Sequence, residues 1–326
     1  MKNMRRILFL LLLMSAFGSL HAVGGLSASK LLVPSADTLD PGLFDFEVAF
    51  GYNRSRSYYN EWGHLKNLGG DYDQINPETG MPVERESESE TGLDFRMTAG
   101  IVKNFEIGFG FGHSTVENSV SGESSSGFGD LAIGMKYSLM KPEDTFRIAV
   151  QGGVNMEPVH WTPTYEGGLI ATIQLSDKLS IDADVAFSNS GPKAIEGQRV
   201  REYGISGNVG IGYEFEKIMP VFELGYSQVY TNQKRNYVIG HDAELLLGLP
   251  SDYEIDVNGP LGVDPALKIQ ERVKVWEKLL TATIGFTYGI NDISGVALMI
   301  SQDISGVNAG AGRTISGVYT LTLDGK

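Results

Sequence analysis

Ionisable residues in this chain fall in one phase of a two-residue alternation that returns along most of its length. Glu47, Asp94, Glu106 and Asp130 are acidic members of the series, and Arg96, Lys136 and Arg147 are its basic members. Asp45, Glu166, Asp182, Asp184, Glu202, Glu214 and Glu223 keep the same phase. Charges repeated along one face can attract or repel a passing solute. The run Glu84-Arg-Glu-Ser-Glu-Ser-Glu90 holds this phase into Asp94 and Arg96, which puts Glu86, Glu88 and Glu90 at the outer end of the same face.

Other chemistry finds little support. There is no cysteine, so neither a disulfide framework nor thiol chemistry arises. His64, His113, His160 and His241 share no ligand-like spacing, and residues 71–78 lack the glycine of a calcium loop. His113 and Ser114 are adjacent on a strand, so they point to opposite faces and cannot act as a dyad. The residues predict no catalytic site, no metal and no cofactor.

The elements that must carry these charges are strands. A strand turns successive side chains to opposite faces. Phe44, Phe46, Val48, Phe50 and Tyr52 oppose Asp45, Glu47 and Ala49; Leu93, Phe95, Met97 and Ile101 oppose Asp94, Arg96 and Thr98. In Gly127-Phe-Gly-Asp-Leu-Ala-Ile-Gly-Met-Lys-Tyr-Ser-Leu139 every second residue from Leu131 is apolar. About twelve such strands are predicted, an even number as expected of bacterial barrels. Short links (Lys103-Asn104, residues 140–144, 176–178, 216–219 and 291–292) alternate with long ones (55–90, 117–127, 157–164, 189–199, 232–277 and 304–312). That is the signature of an all-β, up-and-down antiparallel barrel with turns on one rim and loops on the other. The longest link, 232–277, is expected either to fold into the lumen as a constriction or, where Leu267, Ile269, Val273 and Val275 alternate, to extend a hairpin in part outside the membrane.

Charges facing lipid cost roughly 2–4 kcal/mol each at mid-depth, so the charged face must point inward and the apolar face into a bilayer. Tyr137, Tyr213 and Tyr288 toward the turns, and Tyr52, Tyr165, Tyr203 and Tyr226 toward the loops, fit two interfacial girdles. A lumen so built is polar and net acidic, favouring cations or neutral solutes over anions. Alternatively, opposite charges such as Asp130, Lys136 and Arg147 pair across the interior and plug it.

Lys2, Arg5 and Arg6, the apolar residues 7–17 and the small residues before Ala22 predict a signal peptide over residues 1–22 and export through the Sec route. Residues 23–42 are then expected as an N-terminal periplasmic segment and 43–326 as the barrel. The net charge is −14, and cleavage would remove three basic residues and no acidic one. That balance argues against nucleic acid as a partner.

The stretch from Gly127 to Leu139, with its Gly-x-Gly-Asp and alternating Gly-x-Lys-Tyr, resembles a family of outer-membrane proteins named for the meta-pathway of phenol degradation. Leu32-Val-Pro-Ser-Ala36 and Pro41-Gly42 opening a strand are similar to that family too. The resemblance implies an outer-membrane barrel with a channel role for small, often aromatic or hydrophobic, compounds, and it carries over no catalytic residue.

The expectation is therefore a barrel of the bacterial outer membrane passing small solutes, with lipid and lipopolysaccharide around it. Glu47, Asp94, Arg96, Glu106, Asp130, Lys136 and Arg147 are the candidate selectivity residues, and Glu86, Glu88 and Glu90 form an acidic outer mouth. Two alternatives stand beside it: a non-conducting surface barrel whose loops bind a partner or lipopolysaccharide, and a hydrolase at the outer rim.

Overall fold

A computed structural model describes residues 31–59, 63–67, 88–118, 124–141, 144–156, 162–191, 193–195, 198–239, 254–256 and 267–325. Twelve strands make the wall: β1 (Leu43–Tyr59), β3 (Glu88–Val102), β4 (Phe105–Asn118), β6 (Leu131–Ser138), β7 (Phe146–Met156), β8 (Pro163–Ser176), β9 (Leu179–Ser190), β11 (Gln198–Tyr213), β12 (Ile218–Ile239), β14 (Leu267–Asn291), β15 (Ser294–Val307) and β16 (Gly310–Asp324). Four short strands, β2 (Leu65–Asn67), β5 (Ser124–Phe128), β10 (Lys193–Ile195) and β13 (Glu254–Asp256), lengthen the wall locally. Each wall strand pairs antiparallel with the next, and β16 pairs with β1 from Leu43↔Asp324 onward, so the sheet closes on itself without an open edge. This is the predicted up-and-down barrel.

Side chains are distributed inside-out relative to a water-soluble protein. Phe50 is 53% exposed and Ile284 59%, whereas Glu106 is 1% and Glu223 2% exposed. The apolar phase of β1, β3, β4, β6, β11 and β15 forms a continuous outer surface, including Val48, Leu93, Ile107, Met135, Val209 and Leu298. So much contiguous apolar surface is stable only against lipid. Tyr137, Tyr213 and Tyr288, and Tyr52, Tyr165 and Tyr226, are also exposed on this outer face.

Short turns end the strands on one rim, and two of them place a non-glycine residue in the left-handed region: Asn104 (φ 66°) and Glu216 (φ 51°). Asparagine tolerates that conformation better than most residues. On the other rim the β12–β14 hairpin stays paired out to Ile239↔Leu267, as the alternation after Leu267 predicts. Twenty-two and 25 residues, at about 3.3 Å each and tilted about 40°, rise far above an apolar band about 25 Å tall.

One strand departs from expectation. The stretch 127–139, expected as one strand with its alternation running from Leu131, is divided between β5 and β6. β4 pairs Gly110↔Ala132 below the break and His113↔Phe128 above it, a register slip of one residue. Gly129 N–H donates to Gly112 O (2.8 Å), tying the break to β4. The extra residue is a bulge that turns the upper piece, and every residue of β5 is exposed.

Candidate functional site

Inside the barrel the polar phase makes a wall of carboxylates, hydroxyls and amides. Twelve strands about 4.8 Å apart, tilted about 40°, enclose a backbone diameter of about 24 Å, or about 12 Å once inward side chains are allowed for. That lumen is not left to small side chains alone, because residues 31–41 run through it.

This strap starts against β12–β15 and leaves toward β3–β4, where Gly42 N–H donates to Gly100 O (2.9 Å) and the chain enters β1. Its backbone is held by inward side chains one after another. Glu223 (β12) accepts from three successive amides: Leu31 and Val33 N–H each reach Oε1 (3.2 Å), and Leu32 N–H bifurcates to both oxygens (3.1 Å). Thr172 (β8) accepts from Ala36 N–H (2.9 Å) and donates to Asp182 Oδ1 (2.6 Å). Glu106 (β4) accepts from Leu39 N–H (2.8 Å), and Lys136 (β6) donates to Ser35 O (3.2 Å). Charged acceptors hold backbone N–H groups more strongly than neutral ones.

Apolar residues in the otherwise polar phase mark where the strap packs. Leu31 is buried against Val221, Ala297 and Met299, and Ala36 against Ala149 and Ile170. Gly100 is required for the exit: a Cβ there would lie 2.7 Å from Leu39 O and still nearer Asp40 O. Across the lumen a Cβ on Gly285 would lie 2.8 Å from Leu31 Cδ1.

The sequence-predicted residues sort themselves around this strap. Glu47 and Arg96, directly paired across β1–β3, form an ion pair (3.5 Å). Glu106 and Lys136, opposite each other across β4–β6, form another (2.8 Å). Arg147 Nε reaches Asp37 of the strap (2.9 Å) and its Nη1 donates to Asp144 O (3.2 Å). Lys136 and Arg147 thus bind the strap and its neighbours, while Asp130 is exposed beside the β5–β6 break and acts electrostatically on Glu166. Among the described residues, Lys136 meets Glu106 and Arg147 meets Asp37.

Asp94 keeps to the inward phase, with its carboxylate filling the space beside Gly112. Glu90 is buried at the outer end of β3, and Glu88 is half-buried. From Val102 to Glu90 the strand climbs about 30 Å, beyond the apolar band. There burial, then Asp94 and Glu88, push the Glu90 carboxyl up to about 7 against the Ser114 hydrogen bond. Glu277, at a similar outer level on β14, is pushed up to about 7 by burial and by Glu202. His113 lies on the outer face, its ring edge-on to Phe128 (5.6 Å). His64 is exposed; Glu86, His160 and His241 fall outside the described residues.

Above the strap lies a small, partly open cavity of about 50 Å³. Leu32, Val33 and Glu223 form its floor; Asn53, Asn208, Thr281, Thr283, Ser301, Asp303, Gly312 and Thr314 are among its walls. Thr283 and Ser301 share a hydroxyl–hydroxyl bond (2.8 Å), and Asn208 donates to both oxygens of Asp184 (3.0 and 3.2 Å).

No protein-family model matches the chain, and no curated protein matches it. Among solved structures it is similar to an outer-membrane channel of Pseudomonas putida F1, with 9% identity and a TM-score of 0.61 over 88% of this chain and 98% of that one. Looser likenesses include the NanC porin (9% identity, TM-score 0.44, 84% of this chain and 98% of that one) and a mutant of the TodX monoaromatic hydrocarbon channel (10%, 0.44, 95% and 99%). These two are too distant in shape to bear on function. The first likeness is one of fold. With the apolar outside and the closed, even-stranded antiparallel wall, it puts the chain among the barrels of the bacterial outer membrane.

Proposed function

We propose that this chain is an outer-membrane channel for small polar solutes, with a net acidic lumen whose free cross-section is set by its own strap, residues 31–41. One observation carries the reading: charged and hydroxyl side chains of nearly every wall strand are turned into the tube, among them Glu47, Glu106, Asp184, Glu202 and Thr283. A barrel of about 12 Å inner width has room for one extended chain and a small solute beside it. Glu47 and Arg96 form a fixed ion pair in the wall, and Asp94 and Glu90 lie above it toward the mouth. Cations and neutral molecules are favoured over anions in such a field. The hydroxyl- and carboxylate-lined cavity suits polar solutes; a preference for small aromatic compounds rests on the family resemblance alone.

The strap itself favours a second reading, a barrel closed by its own N-terminal segment that serves as a surface protein. Planar-bilayer recording separates the two. The channel reading expects cation-selective steps from the mature chain and larger steps when residues 31–38 are deleted. Silence from both proteins, each verified as folded, would leave the surface barrel.

A further inference from the structure

The cavity above the strap is lined by amides, hydroxyls and carboxylates and is short of positive charge. Among the described residues no basic side chain lines it, and the carboxylates there are those of Glu223 and Asp303. Glu223 is committed to the strap amides. Asp303 is held only by neutral donors, the Thr281 hydroxyl to Oδ1 (2.7 Å) and the Gly312 N–H to Oδ2 (2.9 Å), and forms no ion pair with a described residue. These bonds fix its carboxylate without balancing its charge.

A second group makes the same demand from the other side of Gly312. Asn53 Oδ1 is buried and has no hydrogen-bond donor among the described residues. A Cβ placed on Gly312 would lie 2.8 Å from that oxygen, so Asn53 Oδ1 and Asp303 Oδ2 flank one backbone position. Opposite Asn53 across β1–β3, Glu90 also has a buried Oε1 with no donor. A buried acceptor without a donor is costly, and a native site with several has a use for one.

We infer that this cavity binds a small organic primary ammonium, whose N–H groups are received by Asp303 and Asn53 Oδ1 while its chain lies along the Thr283, Ser301 and Thr314 hydroxyls. The inference rests on the channel reading and names the class of solute that the channel would select. A primary ammonium brings one charge and three donors on a compact head. A divalent metal would require a denser set of oxygen ligands than one carboxylate and one amide supply.

The test is saturation-transfer NMR on the mature, folded chain in detergent, with propylammonium, tetramethylammonium and 1-propanol as probes. Propylammonium should bind at least tenfold more tightly than either other probe, because one lacks N–H donors and the other lacks charge. Asp303→Asn, and separately Asn53→Leu, should weaken propylammonium binding tenfold or more, while Asp144→Asn on the turn rim should not change it. Equal binding of propylammonium and tetramethylammonium, or binding unaffected by both cavity variants, overturns the site. Potassium conductance of the same preparation tests the channel separately. Conductance without propylammonium binding removes the site alone, and binding without conductance keeps the site and removes the channel.

Discussion

Replacing Glu223 by alanine should release the strap from the wall. In the parent protein this one carboxylate receives three consecutive backbone amides at 3.1–3.2 Å while 2% exposed. Hydrogen bonds to a charged group contribute about 1.5–3 kcal/mol net, a range that already includes the cost of drying the carboxylate. The three amides share two oxygens, so two effective bonds at the low end give about 3 kcal/mol. At 1.4 kcal/mol per factor of ten, the undocked population rises about 100-fold. The absence of native cysteine makes the readout simple. A thiol introduced by Ser35→Cys lies at a buried position near the middle of the strap and should react slowly with a water-soluble maleimide. Adding Glu223→Ala should speed that reaction about 100-fold. Glu223→Gln keeps an acceptor but loses the charge, so it should give about tenfold. An unchanged rate in Glu223→Ala, or a parent rate already equal to that of the unfolded chain, would refute a strap held by this carboxylate.

Further outcomes follow from the same geometry. Lys136→Met leaves Glu106 buried without its cation and should cost about 3–5 kcal/mol in urea unfolding from lipid vesicles; adding Glu106→Gln should restore most of it. Val209→Arg, on the outward face near mid-depth, should cost about 2–4 kcal/mol in the same assay. Cation preference should fall as pH drops from 8 to 6, with a midpoint near 7, because Glu90 and Glu277 are both pushed up to about 7 and become neutral over that range. The double variant Glu90→Gln, Glu277→Gln should flatten the reversal-potential titration. The same groups make stability fall as pH rises from about 4.5 to about 7, since the folded chain there keeps protons that the unfolded chain has released.

The barrel was legible because its signal is local. Alternation at period two places Phe46, Val48 and Phe50 opposite Glu47 without reference to any distant residue, and turn lengths set the neighbours. Two ion pairs were within reach for the same reason: Glu106↔Lys136 and Glu47↔Arg96 are direct cross-strand partners once the hairpin registers are drawn. The β5–β6 break also left a mark, as Phe128 and Leu131 belong to opposite phases. The strap could not be read in this way. Residues 31–41 lack strand periodicity, and their partners are scattered over the wall, with Leu31 and Glu223 separated by 192 positions. What sequence did hold was a set of apolar residues in the wrong phase, Ile170, Val221 and Met299, and these line the places where the strap packs. The orphaned Asn53 acceptor was equally hidden, since it depends on how β1 and β16 approach Gly312.

The sidedness of the wall is tested most directly at two adjacent positions on β11. Fluorophores attached to thiols introduced by Val209→Cys and Asn208→Cys would be compared in vesicles containing either brominated lipid chains or aqueous acrylamide. Brominated chains should quench at position 209 and acrylamide at 208. The opposite assignment, or acrylamide quenching both positions alike, would contradict an apolar face in lipid and a polar face around a tube.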